Sequence, residues 1–399
     1  MRRLAPATLL VALAGCGAAE PPGGCLAQVT AVYDAASIAR LTDGTVWASL
    51  GGAPFAEVRG PAGHLDAMDL AASGSTAYGT AIVCVIAAGQ GIDDGSVWCV
   101  PLPGPLLDST NLGGGDDFRV VTEGAVRVVT DAAAPRPLLT GARQLAATMN
   151  GNAATFCAVT GAGAVMCWGS NDHGLPGRGN VERVPFARPV MADPETPFGD
   201  AVEVRLGFDS ACARKRDGSV WCWGDNAVGQ VGFAFHDTTE VPFPVRVDLP
   251  ARATRLASSP GRTHCALLED DRVACWGWNA TGQAGGEPSA TGAPPTIVLT
   301  SAGGPPLTGV TDLAPDRGMQ AMCATTRDHR IWCWGLPFPR AGAPDAPSPY
   351  PVATDATTTR PLAAYGERDG ALVYVDAAGR LTTGAGLGPR TVQPACVGQ

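Results

Sequence analysis

Apolar side chains recur at alternate positions in short runs along this chain, and the runs come in pairs about a turn. The clearest pair is Ala211-Cys-Ala-Arg-Lys-Arg-Asp-Gly-Ser-Val-Trp-Cys-Trp-Gly224, where Cys212 and Cys222 stand equidistant from Asp217. The figure returns around Cys157 and Cys167, Cys265 and Cys275, and Cys323 and Cys333, with midpoints at Ala162, Asp270 and Asp328. Alternation bounded by turn residues predicts β-strands. Equal arms about a midpoint predict antiparallel hairpins closed by a three-residue loop, a type I turn followed by a left-handed residue. The third loop position then needs a positive φ, and it holds Gly163, Gly218, Asp271 and His329, types that tolerate it well.

Paired in this way, each cysteine faces its partner across two strands. Directly opposed residues lie about 4.5 to 5.5 Å apart at Cα, inside the ~4.4–6.8 Å window of a disulfide. Two further copies lack cysteines, at Ile38–Ala48 with Asp43-Gly44 in the turn and at Leu372–Thr382 with a longer loop ending in Gly379. Another, Cys84 to Cys99, has an enlarged loop but retains Asp94-Gly-Ser-Val-Trp-Cys99. First anchors at 38, 84, 157, 212, 265, 323 and 372 make seven units. The segment from Arg119 to Val128 resembles one more hairpin, but it follows Cys99 too closely for a unit of its own and is assigned to the outer part of the second.

Composition sharpens this picture. Charged residues are 16% of the chain, with 52 glycines and 34 prolines, which suits many short strands joined by turns. The fold class is therefore all-β. The net charge of −9, with Lys215 the only lysine among 28 basic residues, argues against nucleic acid as a partner. Thirteen cysteines imply either metal or an oxidising compartment. Nine residues between partners, and histidines that do not cluster, disfavour metal.

The N terminus agrees with export. Arg2 and Arg3 precede an apolar run from Leu4 to Ala14, a secretory signal too short to span a bilayer. Leu13-Ala-Gly-Cys16 resembles the bacterial lipobox, which implies cleavage after residue 15 and a lipid on Cys16. Residues 16–24 then form a short linker and 25–399 a single domain. The lipid is the expected membrane anchor, with the outer membrane or cell surface of a bacterial envelope as the location.

After Cys222 the chain reads Trp-Gly-Asp-Asn-Ala-Val-Gly-Gln-Val-Gly232, and after Cys275 it reads Trp-Gly-Trp-Asn-Ala-Thr-Gly-Gln-Ala-Gly285. Together with the Asp-Gly hairpin, these resemble the regulator of chromosome condensation repeat. The copy after Cys167 has Leu175 in place of the glutamine, and the copy after Cys333 loses the pattern beyond Gly335. The resemblance implies a seven-bladed β-propeller of four-stranded antiparallel blades, closed by the N- and C-terminal segments. A ring must bring its ends together, so Cys25 and Cys396 are expected to bond and clasp it. The family's members mainly bind proteins, among them a nuclear exchange factor for a small GTPase and a secreted bacterial inhibitor of β-lactamases. A histidine common in that family two residues before the first anchor is replaced by Thr155, Ser210 and Ala321, while His264 is displaced by one place. None of the exchange chemistry transfers.

No nucleophile elbow, phosphate loop, zinc-protease helix or calcium loop is present, and no catalytic residue, metal or cofactor is expected. Eight of the nine tryptophans flank the second anchor, on the sheet face opposite the cysteine, where they are expected to pack between blades. Trp278 is read as a turn residue after the strand and hence as a candidate partner contact, with His173, Arg178 and His236 in equivalent segments behind it. The reading is a monomeric, lipid-anchored, non-enzymatic module that binds a protein. A carbohydrate-directed propeller and a structural envelope component are the alternatives.

Overall fold

The computed structural model describes residues 26–32, 36–41, 43–50, 56–60, 63–64, 66–75, 80–88, 95–102, 126–130, 137–150, 153–171, 173–178, 184–233, 240–315, 321–336, 348–357, 372–375, 381–384 and 390–391. Among them every regular element is a strand. Six antiparallel four-stranded sheets follow one another, each in simple chain order. Blade 1 runs from Leu26 to Glu57, blade 2 from Ala67 to Arg127, blade 3 from Ala142 to Pro189, blade 4 from Ala201 to Arg246, blade 5 from Ala253 to Ile297 and blade 6 from Val310 to Thr357. Three further strands between Leu372 and Thr391 form a seventh sheet, and a two-stranded hairpin joins Arg59–Gly60 to Gly63–His64. The first strands of blades 1 to 6 lie side by side at the inner edge of the fan. This is a β-propeller arrangement.

The hairpin at the heart of each blade forms because its turn closes in one way. Cys212 faces Cys222, Cys157 faces Cys167, Cys265 faces Cys275, Cys323 faces Cys333, and Cys84 faces Cys99. All five pairs are bonded, with Cα atoms 4.0 or 4.1 Å apart. That separation is tighter than expected. Counting outward from the turn bond between Lys215 and Ser219, the cysteines occupy a non-hydrogen-bonded pair, where strands are already closest and a bridge can draw them nearer. Gly163, Gly218, Asp271 and His329 have φ of 83, 82, 62 and 64°. In the hairpin from Cys84 to Cys99, Gly95 takes the same role at 71°, and its N–H donates to Ala87 as that of Gly218 donates to Lys215. The inserted residues therefore leave the register untouched.

The left-handed residue does more than turn the chain. Its carbonyl accepts the first N–H of the next blade's inner strand: Gly44 from Ala67, Gly95 from Ala142, Gly163 from Ala201, Gly218 from Ala253 and Asp271 from Val310, at 2.9–3.1 Å. One local conformation thereby sets the spacing between blades.

The second half of the segment from Arg119 to Val128 supplies Val126–Arg127, which pairs with the third strand of blade 2 as its outer strand. The outer strands of blades 3 to 6 contain Pro185 and Pro189, Pro242 and Pro244, Pro294 and Pro295, and Pro349 and Pro351. Proline donates no hydrogen bond, so these edges resist pairing with another chain. The start of the N-terminal segment in view, Leu26–Val32, pairs within blade 1. Ring closure, Cys16, Cys25, Cys396, Gly379 and the leader and linker lie outside the described residues.

Candidate binding rim

Antiparallel order puts the loops between first and second strands, and between third and fourth, at one end of every blade. The Asp-Gly turns lie at the other. On the first end, called here the loop rim, Trp168, Trp223, Trp276 and Trp334 are fully buried. The indole N–H of Trp223 donates to the Leu175 carbonyl at 2.7 Å, that of Trp276 to Gln230 at 3.1 Å, and that of Trp334 to Gln283 at 3.0 Å. Each of these three indoles thus reaches the loop of the preceding blade. The acceptor is a backbone atom, which is why Leu175 can replace glutamine there. The other set, Trp47, Trp98, Trp221 and Trp332, is half-buried. Asp217 holds the Ser219 hydroxyl at 2.7 Å, and that oxygen accepts the Trp221 indole N–H at 3.0 Å. Asp43, Thr45 and Trp47 repeat the chain.

Asparagine and glutamine of the repeat organise the loop itself. Asn226 Oδ1 accepts the Val231 N–H at 3.0 Å and Asn279 Oδ1 that of Ala284 at 2.8 Å. Gln230 Oε1 accepts the Val228 N–H, while its amide donates to Asp209 at 3.2 Å and Asp225 at 2.9 Å.

Asp209, fully buried, also faces the Arg262 guanidinium of blade 5, with Nε 2.6 Å from Oδ2. Burial raises its pKa to about 6, helped by the Asp225 charge and opposed by Arg262, Gln230 and the charge of His173. Arg262 adopts φ 67°, and its guanidinium lies over the Phe208 ring at 5.6 Å. His264, beside it, is fully buried. Its Nδ1 pairs with the Ser258 hydroxyl at 2.6 Å and its Nε2 with the Ser210 hydroxyl of blade 4 at 2.8 Å. Burial lowers its pKa to about 3, so it is neutral at physiological pH. This serine–histidine contact is out of solvent reach and joins two blades. Where the family places a histidine, the hydroxyls of Thr155 and Thr263 instead donate to the Ser170 and Trp278 carbonyls.

The sequence matches the regulator of chromosome condensation (RCC1) repeat at residues 201–230 and at 217–268. The chain carries RCC1 repeats. Among curated relatives, the human E3 ubiquitin-protein ligase HERC2 is 33% identical over 132 residues, 33% of this chain and 3% of HERC2. The ultraviolet-B receptor UVR8 of Arabidopsis thaliana is 26% identical over 177 residues, 43% of this chain and 38% of the receptor. The chain therefore matches only a small part of HERC2 and less than half of UVR8. Among solved structures, human WBSCR16 superposes with a TM-score of 0.61 at 14% identity, covering 86% of each chain. Yeast RCC1 (Prp20), solved bound to Kap60, gives 0.59 at 15% identity, covering 82% of this chain and 75% of that one. At such identities the likeness is one of fold, and it is to RCC1 propellers.

Of the four candidate contacts, Trp278 is corrected in position. It lies inside the third strand of blade 5, Val273–Asn279, because its N–H and carbonyl bond Arg262 and Thr263; it is half-buried. His173 is half-buried on the same rim, within electrostatic range of Asp209. Arg178 is tied down by a 3.0 Å bond to the Pro189 carbonyl of its own blade. His236 lies outside the described residues. Sequence reasoning passed over Phe208, Asp209, Phe233 and Arg262. Their signal is faint: Gly-Phe-Asp-Ser210 and Pro-Gly-Arg-Thr263 each interrupt a strand just before an anchor.

It also passed over a polar latch on the inner strands. Each of these strands skips one residue in its pairing before Asp69, Gln144, Glu203, Arg255 or Asp312. Asp69 accepts the Leu145 N–H. Gln144 accepts from Val204 N–H at 2.9 Å and donates to its carbonyl at 3.1 Å. Glu203 accepts the Leu256 N–H at 3.2 Å, and Arg205 donates to the Leu256 carbonyl. Arginine cannot accept an N–H, so at blade 5 Arg255 pairs with Asp312 and Asp312 itself bonds the Leu313 N–H.

Proposed function

We propose that this chain is an exported, lipid-anchored protein-binding module that engages its partner with the loop rim of blades 3 to 5. The observation that carries the reading is the difference between the two ends of the blades. The turn end is charged and internally paired: Arg272 with Asp270, Arg327 with Asp271, and Arg330 with Asp328. The loop rim instead gathers Phe208, Phe233, Trp278 and Arg262, and Phe233 is 38% exposed, the one exposed large hydrophobic among the described residues. Aromatic side chains and arginine are what protein interfaces enrich. The proline-bearing outer edges favour a monomer and direct recognition to the rim. The solved yeast relative was crystallised with Kap60 and has been studied for binding to Gsp1p and histones. A protein partner is the class carried over, and its identity is this chain's own.

Binding, not catalysis, is the activity assigned. The two groups with strongly displaced pKa, Asp209 and His264, are buried, and each faces a group of the neighbouring blade, Arg262 and Ser210 respectively. Five bonded cysteine pairs support an oxidising compartment, and the Leu-Ala-Gly-Cys16 sequence supports a lipid on Cys16.

A photo-crosslinking side chain at Phe233, compared with one at the exposed turn residue Arg216, tests the rim in intact envelopes. Protein adducts are expected from position 233 and not from 216; the reverse pattern, or glycan adducts alone, would overturn the assignment. Incorporation of a labelled fatty acid that persists in Cys16→Ser would overturn the anchor.

A further inference from the structure

Asp209 and Arg262 hold equivalent places in successive blades, three residues before the first anchor, where blade 3 has Ala154. Of these three blades, only 4 and 5 set opposite charges against each other there. Asp209 is fully buried, while the Arg262 side chain is 34% exposed and rests on the Phe208 ring. Arg262 also stands at φ 67°, a conformation that a residue with a side chain keeps only when its surroundings hold it. Its carbonyl is held by the Trp278 N–H at 3.0 Å, and its guanidinium by Asp209.

The hold on Asp209 is incomplete. Arg262 Nε lies 2.6 Å from Oδ2, close enough for strong attraction, yet its N–H is not aimed at that oxygen, which has no aligned donor among the described residues. Oδ1 accepts from the Gln230 amide at 3.2 Å, and the same nitrogen also donates to Asp225 Oδ2 at 2.9 Å. Two buried carboxylates thus share a single amide. Around them stand His173 of blade 3, within electrostatic range of Asp209, and Glu240, exposed and opposite Asp225 in the sheet. His264 is neutral and taken up by Ser210 and Ser258.

A buried carboxylate oxygen without an aligned donor, beside a second carboxylate, is an atom at which a proton settles. The proton removes a charge that burial penalises and the repulsion from Asp225, and with them the attraction that holds Arg262. Burial, with the Asp225 charge behind it, outweighs Arg262 and raises the Asp209 pKa to about 6. The carboxylate is therefore charged well above that pH and neutral well below it.

We propose that Asp209 and Arg262 form a proton-operated clasp between blades 4 and 5: a proton from solvent, bound at Asp209 Oδ2, releases the Arg262 guanidinium and adds one positive charge to the loop rim. One O–H bond forms and no other covalent bond changes. The charge that the rim offers a partner then follows the acidity of the surroundings. That consequence rests on the rim reading above; the clasp itself does not.

The test follows the Nε–H resonance of Arg262 by nuclear magnetic resonance in the full chain, labelled at arginine, from about pH 7.5 to about pH 4.5. Loss of the resonance in Arg262→Gln assigns it. One titration step centred near pH 6 is expected. In Asp209→Asn the step should be absent, with the resonance held at the parent's acid-limit position throughout. Asp225→Asn, which removes the like charge, should move the midpoint to lower pH, and His173→Asn, which removes an opposing charge, should not lower it. Far-ultraviolet dichroism confirms that the variants fold. No step in the parent, a step that survives in Asp209→Asn, or one that vanishes in His173→Asn overturns the clasp. Should Asp209→Asn not fold, a midpoint unmoved in Asp225→Asn overturns it equally. Because the measurement is made on the free protein, its failure leaves the rim reading standing, and that reading is decided separately by the adducts at position 233.

Discussion

Removing the Glu203 carboxylate tests the idea that the blades are held in sequence by polar latches at the inner edge. Glu203 joins three groups: Arg205 Nη2 at 3.0 Å, Arg214 Nε at 3.0 Å and, in the next blade, the Leu256 N–H at 3.2 Å. Its side chain is 8% exposed, whereas those of Arg214 and Arg205 are 20% and 38% exposed. A hydrogen bond to a charged acceptor contributes about 1.5–3 kcal/mol. Breaking a buried ion pair costs about 3–5 kcal/mol because a charge is left unpaired. Here both arginines can partly recover water, which discounts the second figure. Glu203→Ala is therefore expected to lose about 2–4 kcal/mol, mostly from the Leu256 bond and the partly dehydrated Arg214. Glu203→Gln, which keeps one carbonyl acceptor for Leu256, should lose less. Equilibrium urea unfolding followed by tryptophan fluorescence measures both, with exposed Glu240→Ala as the reference. A Glu203→Ala midpoint equal to that of Glu240→Ala, or a glutamine variant as unstable as the alanine one, would refute the latch.

Gly218→Val forces a β-branched residue into φ 82° and puts its Cβ 2.7 Å from that of Arg252. A loss of about 1–3 kcal/mol or more is expected in the same unfolding assay, since strain of that size attends a disfavoured backbone region. Asp209 and His264 should drive stability in opposite directions with pH. The Asp209 pKa rises from 3.8 to about 6, so its contribution is present below 3.8 and lost as pH rises through 6; Asp209→Asn is expected to be more stable than the parent at pH 7.5, the difference vanishing near pH 4. The His264 pKa falls from 6.5 to about 3, so its contribution is present above 6.5 and lost as pH falls toward 3; His264→Gln should flatten the acid limb of the unfolding midpoint. Replacing Cys212 and Cys222 together by alanine should cost about 3 kcal/mol for a ten-residue loop while leaving the strand dichroism unchanged, because the turn closes through Gly218 with or without the bridge.

The hairpins, their positive-φ positions and the five cysteine pairs within hairpins were legible from residues alone. Each depends on chemistry within about a dozen residues: a glycine or aspartate that tolerates a left-handed turn, alternation that puts Cys212 and Cys222 on one face, and equal arms that set them opposite. The tryptophans were assigned to blade contacts for a similar reason, since alternation fixes their face. Trp278 was misplaced because a strand continues wherever a neighbour supplies its bonds, and those came from Arg262 and Thr263 across the sheet. The tertiary structure alone decided that Gln144, Glu203 and Arg255 turn toward the next blade, that the Trp223 indole ends on a carbonyl 48 residues away, and that Arg262 crosses to Asp209. A polar residue in a strand reads as solvent-facing unless its partner is known, and these partners stand one whole repeat apart. Repetition determined the unit; which residues of successive units meet was visible only once the blades stood side by side.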